Sequence, residues 1–584
     1  MTFIDWAIVI GINGAIVVYG LLRSRDTKTS ADWFLAGRTL PWWIVGLSLY
    51  ATAIDSSDVV ADAGLTHQVG FSYFLCNWVG VIAGWLVGAH FIVLPMYRAG
   101  MYTNAEYLEA RFGPAARIVS ALVQVQYRTL ILGIIVNTLF LVLAVGCGWD
   151  STTAWTAVCL TALLATIYTA LGGLKSVAVT DALQTIVMVA ASVTFFFVVW
   201  GHIDGWDGLE SRLTAIDPDL KTELLNIGHP TTNEIDVSGK RPEEIASLQR
   251  LHDGQYDESQ RTILTLTPAW LVSLAWIFVG FAYSIVNHTQ SMRLFGSRSE
   301  WDLKMSVTIA SAILIVTSFT NLTIGIMGRA LYPDLSAMPL EAELQNADSI
   351  YPLVLRELGT IGLKGLIVAG VVAAALSTFD SIGSTLSSLL VRDVYARLLV
   401  KNRDDRHYLR VGQWLTPFIV FGSFAYVPFF DGGMVFFYLE LVSAWVIPLL
   451  TAYVLGVFTR VHRSSGIIGL FVGVAYGVLR LFAPTIATHF DIVVLPSVMV
   501  DGYAAYTISF SLTALTMVAV SLVLGWESPG QLLHKEKEGW LRSSQEQASQ
   551  LTAVDSRPRR DLWPLLIAVV LLASGVFLSF VIFW

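Results

Sequence analysis

Between Ala373 and Asp393 the sequence reads AAALSTFDSIGSTLSSLLVRD. Seven hydroxyls (Ser377, Thr378, Ser381, Ser384, Thr385, Ser387 and Ser388) surround one carboxylate, Asp380. The stretch before them, residues 362–375, is apolar apart from Lys364. Hydroxyl and carboxylate oxygens suit a hard cation such as sodium. Ser377, Asp380 and Ser381 fall at i, i+3 and i+4, so they share one helical face. The same residues suit a second use, because small hydroxyl side chains also let helices pack closely in lipid. The acid among them favours the ion.

The elements that must position these groups are membrane spans. Of the 584 residues, 55% are hydrophobic and only 14% charged, which fits a polytopic membrane protein and excludes an ordinary soluble one. Apolar runs predict fourteen spans, near 4–22, 40–64, 71–96, 115–146, 152–171, 178–200, 266–290, 305–328, 361–391, 410–428, 433–458, 465–484, 503–525 and 562–583. The first reads as a retained span, since it lacks a basic leader and a small-residue cleavage site. An even count puts both termini on one side. Lys and Arg crowd one set of loops, from Arg23 and Lys28 through Arg392–Arg410 to Lys535–Arg560. Those loops are expected to be cytoplasmic, with both termini extracytoplasmic in the cell membrane.

The expected organisation follows from this map: 1–39, an extra helix and inner linker; 40–200, a first repeat of five helices; 201–265, an acidic outer loop; 266–458, a second repeat of five; and 459–584, three further helices with an inner linker over 526–561. The repeat rests on one cue. The second span carries Asp55, Asp58 and Asp62, the seventh carries Gly280, Ser284, Asn287 and His288, and the two are five spans apart. Paired polar spans in corresponding places point to an inverted-repeat transporter with broken helices at mid-membrane.

Other ionisable groups inside spans are Arg128, Asp181, Asp380 and Glu440, each a functional candidate that needs a partner. Arg128 has two readings: it clamps a carboxylate on a solute, or it neutralises an acid of the second span. Asp62, near the outer end of its span, is expected to be solvated. No nucleophile elbow, P-loop or metal-ligand spacing is present, and nothing points to nucleic acid.

Several stretches resemble the sodium:solute symporter family, which contains the sodium/glucose cotransporters. They are LPWWIVGLSLYAT at 40–52, PMYRAGMYTNAEYLEARFG at 95–113, LGGLKSVAVTDALQ at 171–184, ALSTFDSIGSTLSSLLVRDVY at 375–395 and LGVFTRVHRSSG within 448–466. The resemblance implies an all-α membrane protein with the ten-helix inverted-repeat core of the amino-acid/sodium transporter fold, formed by the second to eleventh spans. It implies a sodium site from the carbonyls of Ala51, Ile54 and Ala374 and the hydroxyls of Ser377 and Thr378. A second sodium, or a proton in its place, is implied at Asp181, Ser377, Asp380 and Ser381. The solute-contacting positions it implies are Asp58, Asn77, Tyr283 and Glu440, with Arg128 close to a carboxylate-binding place of sialic-acid carriers. Asp58, Asn77, Gly280, Leu314 and Glu440 all depart from the sugar-binding pattern, whereas Tyr283 keeps it.

The expected function is therefore secondary active import of a small polar solute, a sugar or sugar derivative, coupled to sodium. The alternatives are an organic acid or other charged solute, or a non-transporting sensor of the same fold. An enzyme is not expected. The partners are sodium, the solute and the bilayer, in a monomer or weak oligomer.

Overall fold

A computed structural model describes residues 1–24, 36–228, 268–527 and 561–584, except 102, 339, 341–343, 402, 431–433, 491 and 493. Within 229–267 it describes three short strands only, β1 (Glu234–Asp236), β2 (Gln255–Tyr256) and β3 (Ile263–Thr265), antiparallel in the order β1-β3-β2. The inner linker expected over 526–561 lies outside the described residues except at its ends.

All else of note is helical. Helix α1 (Phe3–Ser24) is followed by a broken span, α2 (Trp42–Ala53) and α3 (Ser56–Val69), bent by 49°. Next come α4 (Cys76–Arg98), the short α5 (Asn104–Phe112), α6 (Pro114–Gly146) and the long run α7 (Ser151–His202). Two short helices, α8 (Gly205–Ile216) and α9 (Leu220–Leu225), follow. Then come α10 (Ala269–Val286), α11 (His288–Phe295), α12 (Glu300–Leu331), α13 (Ile350–Leu358), α14 (Leu363–Leu399), α15 (Asp405–Gly422) and α16 (Phe437–Phe458). Helices α17 (Ser465–Phe490), α18 (Gly502–Leu524) and α19 (Trp563–Ile582) complete the chain.

Among the described residues eleven helices are long and apolar enough to cross a membrane, and the α2–α3 pair makes a twelfth. Two of the fourteen expected spans are helical but fall short. The fifth is apolar only over Ser151–Ile167. The tenth, α15, brings Arg406 and Arg410 into its first turns.

Tight contacts fix the helices around the breaks. A Cβ on Gly280 of α10 would lie 2.2 Å from the Cys76 carbonyl oxygen of α4, so these helices touch backbone to backbone. Arg111 of α5 donates from Nε to the Gly456 carbonyl (3.1 Å) and from Nη2 to that of Val461 (2.6 Å). Gly456 is in the last turn of α16, whose carbonyls the helix leaves unpaired, and Val461 lies just beyond it. Arg117, at the start of α6, bonds Glu109 (2.7 Å) and pairs with Asp393 of α14.

Other contacts tie down the chain ends. Asp5 accepts from the Gly362 (2.7 Å) and Gly365 (3.2 Å) amides, the free donors at the start of α14. Ile227 donates to the Phe583 carbonyl (2.6 Å). Residues 347–358 lie between α12 and α14 and pack on α3. Their seat is Gly64, where a Cβ would come within 2.7 Å of Asp348 Oδ1. Asp348 Oδ2 accepts from the Met434 amide (3.3 Å), and burial pushes its carboxyl up to about 6.

A carboxyl raised by burial binds its proton more tightly when packed than when solvated. Packing of this segment is therefore strongest below pH 4 and weakens as pH rises through about 6. Hydrogen exchange across 347–358, corrected for intrinsic rates, is expected to be faster at pH 7.5 than at pH 5. Asp348→Asn should remove the difference; an unchanged difference refutes the role.

Candidate functional site

The site begins with backbone that has left the helix. Ile54 (φ −112°, ψ 112°) and Asp55 (φ −118°, ψ −169°) are extended between α2 and α3. In lipid such a break is tolerated only if its polar groups find partners. Asp55 supplies them locally. Its Oδ1 accepts from the Ser57 amide (2.7 Å), and Asp58 Oδ2 accepts from the Asp55 amide (2.7 Å). This is a capping box, written in the sequence as an acid three residues before another acid.

The seventh span repeats the device. Asn287 (φ −63°, ψ 104°) separates α10 from α11, and its side chain accepts from the Thr289 amide (3.0 Å). In both breaks an Asx side chain holds the amide two residues on, as expected of two copies of one motif. Gln124 of α6 completes the second. Its Nε2 donates to the Val286 carbonyl, and its Oε1 accepts from the His288 amide (3.1 Å). Asn104 Nδ2 also donates to Val286 (2.9 Å).

Helix α14 brings its hydroxyls to the first break. Ser377 Oγ donates to the Ala51 carbonyl (3.0 Å), joining residues 326 apart in sequence. Ser377 Oγ also lies 2.8 Å from the Ala374 carbonyl and Thr378 Oγ1 3.1 Å from it. The last two contacts are ordinary helical back-bonds; the bond to Ala51 is the one that the tertiary fold creates. Ala51, Ala374, Ser377 and Thr378 thus form one oxygen-lined cluster, buried and uncharged, with Ile54 at the break beside it.

Asp181, Ser381 and Asp380 fall into a different group. Arg293 of α11 reaches Asp181 Oδ2 (3.3 Å) and donates to Ser381 Oγ, which lies 3.2 Å from Asp380 Oδ1. Ser48 of α2 donates to the same Asp181 oxygen (2.6 Å). Arg293 was not among the candidates, although an arginine shortly after the Asn287 break was there to be read.

A cavity with about 60 Å³ of free space, room for a few waters, opens beside the first break. It is lined by Asp58, Asp62, Tyr73, Asn77, Tyr283 and Tyr438 among others. The Tyr283 hydroxyl donates to the Ala53 carbonyl (3.0 Å). Arg128 lies behind Tyr283, its guanidinium 5.7 Å from that ring's centroid and 5.5 Å from that of Tyr127. Two expectations change. Glu440 does not line this cavity: it pairs with Arg480 of α17, a partner the apolar run 465–484 concealed. Asp62 is not solvated but 4% exposed, with Tyr73 Oη donating to its Oδ1 (3.1 Å).

Broken helices five spans apart, capped alike and gathered around a cavity, define an inverted-repeat membrane transporter fold. The family profile described as the sodium:solute symporter family matches residues 33–473, and the chain belongs to that family. It is 26% identical to the human sodium/myo-inositol cotransporter over 472 residues, covering 78% of this chain and 63% of that protein. The chain thus spans less than two thirds of the length of that relative. It is 24% identical to the sodium/glucose cotransporter of Vibrio parahaemolyticus, covering 91% and 92% of the two chains. In fold it is similar to a Na+-coupled sialic acid symporter in a substrate-bound outward-open state (TM-score 0.68, 19% identity, 90% and 99% covered). It is also similar to a nucleobase-cation-symport-1 family transporter in a closed conformation (TM-score 0.51, 11% identity, 89% and 98% covered).

Gln124→Leu would leave the Val286 carbonyl with one donor fewer and the His288 amide without its acceptor. The expected loss is about 1–3 kcal/mol for each group, seen as a lower thermal midpoint of the detergent-purified protein. Gln124→Glu keeps the acceptor for His288 but loses the donor to Val286 and buries a carboxylate, and should lose no less. Equal midpoints for all three proteins would show that Gln124 does not hold the break.

Proposed function

We propose that the protein is a sodium-coupled symporter that imports a small polar solute. The observation that carries this reading is the Ser377 hydroxyl on the Ala51 carbonyl, across the break between α2 and α3. Carbonyls of Ala51, Ile54 and Ala374 with hydroxyls of Ser377 and Thr378 form a neutral oxygen cage. Such a cage suits a monovalent hard cation better than a divalent one, which would call for carboxylates. Sodium there ties the first broken span to α14 and so stiffens the wall of the cavity that takes the solute. Its fall down the membrane potential contributes about 2.3 kcal/mol per charge for every 100 mV.

The solute contacts in this reading are Asp58, Asn77 and Tyr283 from the cavity wall, with Arg128 behind the last. Glu440 has no part in it. The Asp181–Ser381–Asp380 group already contains the Arg293 guanidinium, so coupling is assigned to the Ser377 site and a second cation is not needed for it. The names of the relatives favour a polyhydroxyl solute, a sugar or cyclitol. The acids in the cavity favour a charged one. The basic loops orient the bundle with both termini extracytoplasmic in the cell membrane.

Uptake of radiolabelled myo-inositol, glucose and a solute mixture into proteoliposomes, with and without an inward sodium gradient, tests the reading. Removing both hydroxyls, Ser377→Ala with Thr378→Ala, is expected to raise the sodium concentration for half-maximal thermal stabilisation roughly tenfold or more. Sodium dependence unaltered in that variant would reject the site.

A further inference from the structure

Asp58 and Asp62 both line the cavity, from positions i and i+4 on one face of α3. Like charges at this spacing repel and add nothing to the helix. Asp55 is accounted for as the cap of α3, and it lies within electrostatic reach of Arg128. Asp58 spends one oxygen on the cap and also lines the cavity. Asp62 accepts from Tyr73 with one oxygen, while its Oδ2 is buried and has no hydrogen-bond partner. The structure therefore holds an unmet buried acceptor on a residue that lines the cavity, with a second carboxylate one turn away.

We infer that the solute carries a cationic nitrogen, held between Asp58 and Asp62 and against the rings of Tyr73, Tyr283 and Tyr438. The inference rests on the symport reading and names its substrate class. A neutral sugar would hydrogen-bond these acids but leave their desolvation largely unrepaid; an ammonium meets it with opposite charge. Three carboxylates lie around one guanidinium, Arg128. A cationic ligand is what allows Asp58 and Asp62 to be ionised side by side in a buried place. Tyrosine rings add the face-on attraction that cations receive from aromatic groups. Arg128 does not compete for Asp62: no ion pair joins the two, and its guanidinium lies over the Tyr127 and Tyr283 rings.

The test is thermal stabilisation of the purified full chain by matched probes in sodium chloride. The pairs are D-glucosamine with D-glucose, ethanolamine with ethylene glycol, and choline with its uncharged tert-butyl isostere. The cationic member of at least one pair is expected to stabilise the protein where its neutral twin does not. Asp62→Asn, of nearly the same shape, should weaken that effect roughly tenfold or more, the worth of a charge-assisted contact. If that variant does not fold, Asp58→Asn keeps the acceptor for the Asp55 amide and should weaken it likewise. Neutral twins that stabilise as well, no response to any probe, or full discrimination in a folded variant would overturn the inference. A cation that stabilises equally in potassium chloride would reject the symport reading and leave the solute class standing.

Discussion

Breaking a helix inside a membrane frees backbone groups that nothing around it can satisfy, and the centre of this protein is arranged around that constraint. Two spans are interrupted, at Ile54–Asp55 and at Asn287. Each break is held first by its own Asx side chain and then by residues from other helices. Ser377 closes on the Ala51 carbonyl, and Gln124 and Asn104 close on Val286. In the proposed sodium site the Ala51 carbonyl, a liability of the first break, becomes a ligand. On that reading stability and ion binding draw on one set of atoms.

Charge is treated in the same way. The buried cations of the core are matched from neighbouring helices: Arg293 by Asp181, Arg117 by Asp393, Arg480 by Glu440. Breaking such a pair by removing one partner leaves an uncompensated charge, which costs far more than the pair itself contributes. Two groups near the cavity stand outside the pattern. The Arg128 guanidinium lies over the Tyr127 and Tyr283 rings, and Asp62 has one oxygen unmatched. Both lie at or behind the cavity, where a ligand rather than the fold is the natural partner.

Much of this was legible in the sequence. Apolar length located nearly every span, and the hydroxyl-rich run 377–388 marked the helix that meets the first break. Polar residues in the second and seventh spans marked the interruptions, because such residues are expensive in lipid unless used. What stayed hidden was long-range pairing. Gln124 satisfies groups 162 and 164 residues away, and periodicity carries no information about that. Glu440 was placed by resemblance, and Arg480, its partner, sits in a span that otherwise reads as plain lipid-facing helix. Asp55 and Asp58 were read as functional acids, although their spacing also spells a helix cap; Asp58 does both jobs.

Arg111 meets carbonyls that lie about 345 to 350 residues further along the chain. A ribosome adding roughly 5 to 20 residues per second needs on the order of 20 to 70 seconds to reach them. Until then the Arg111 guanidinium is left to water and lipid phosphates at the edge of the bilayer. Early folding of this protein should therefore be sensitive to the anionic lipid content of the membrane that receives it.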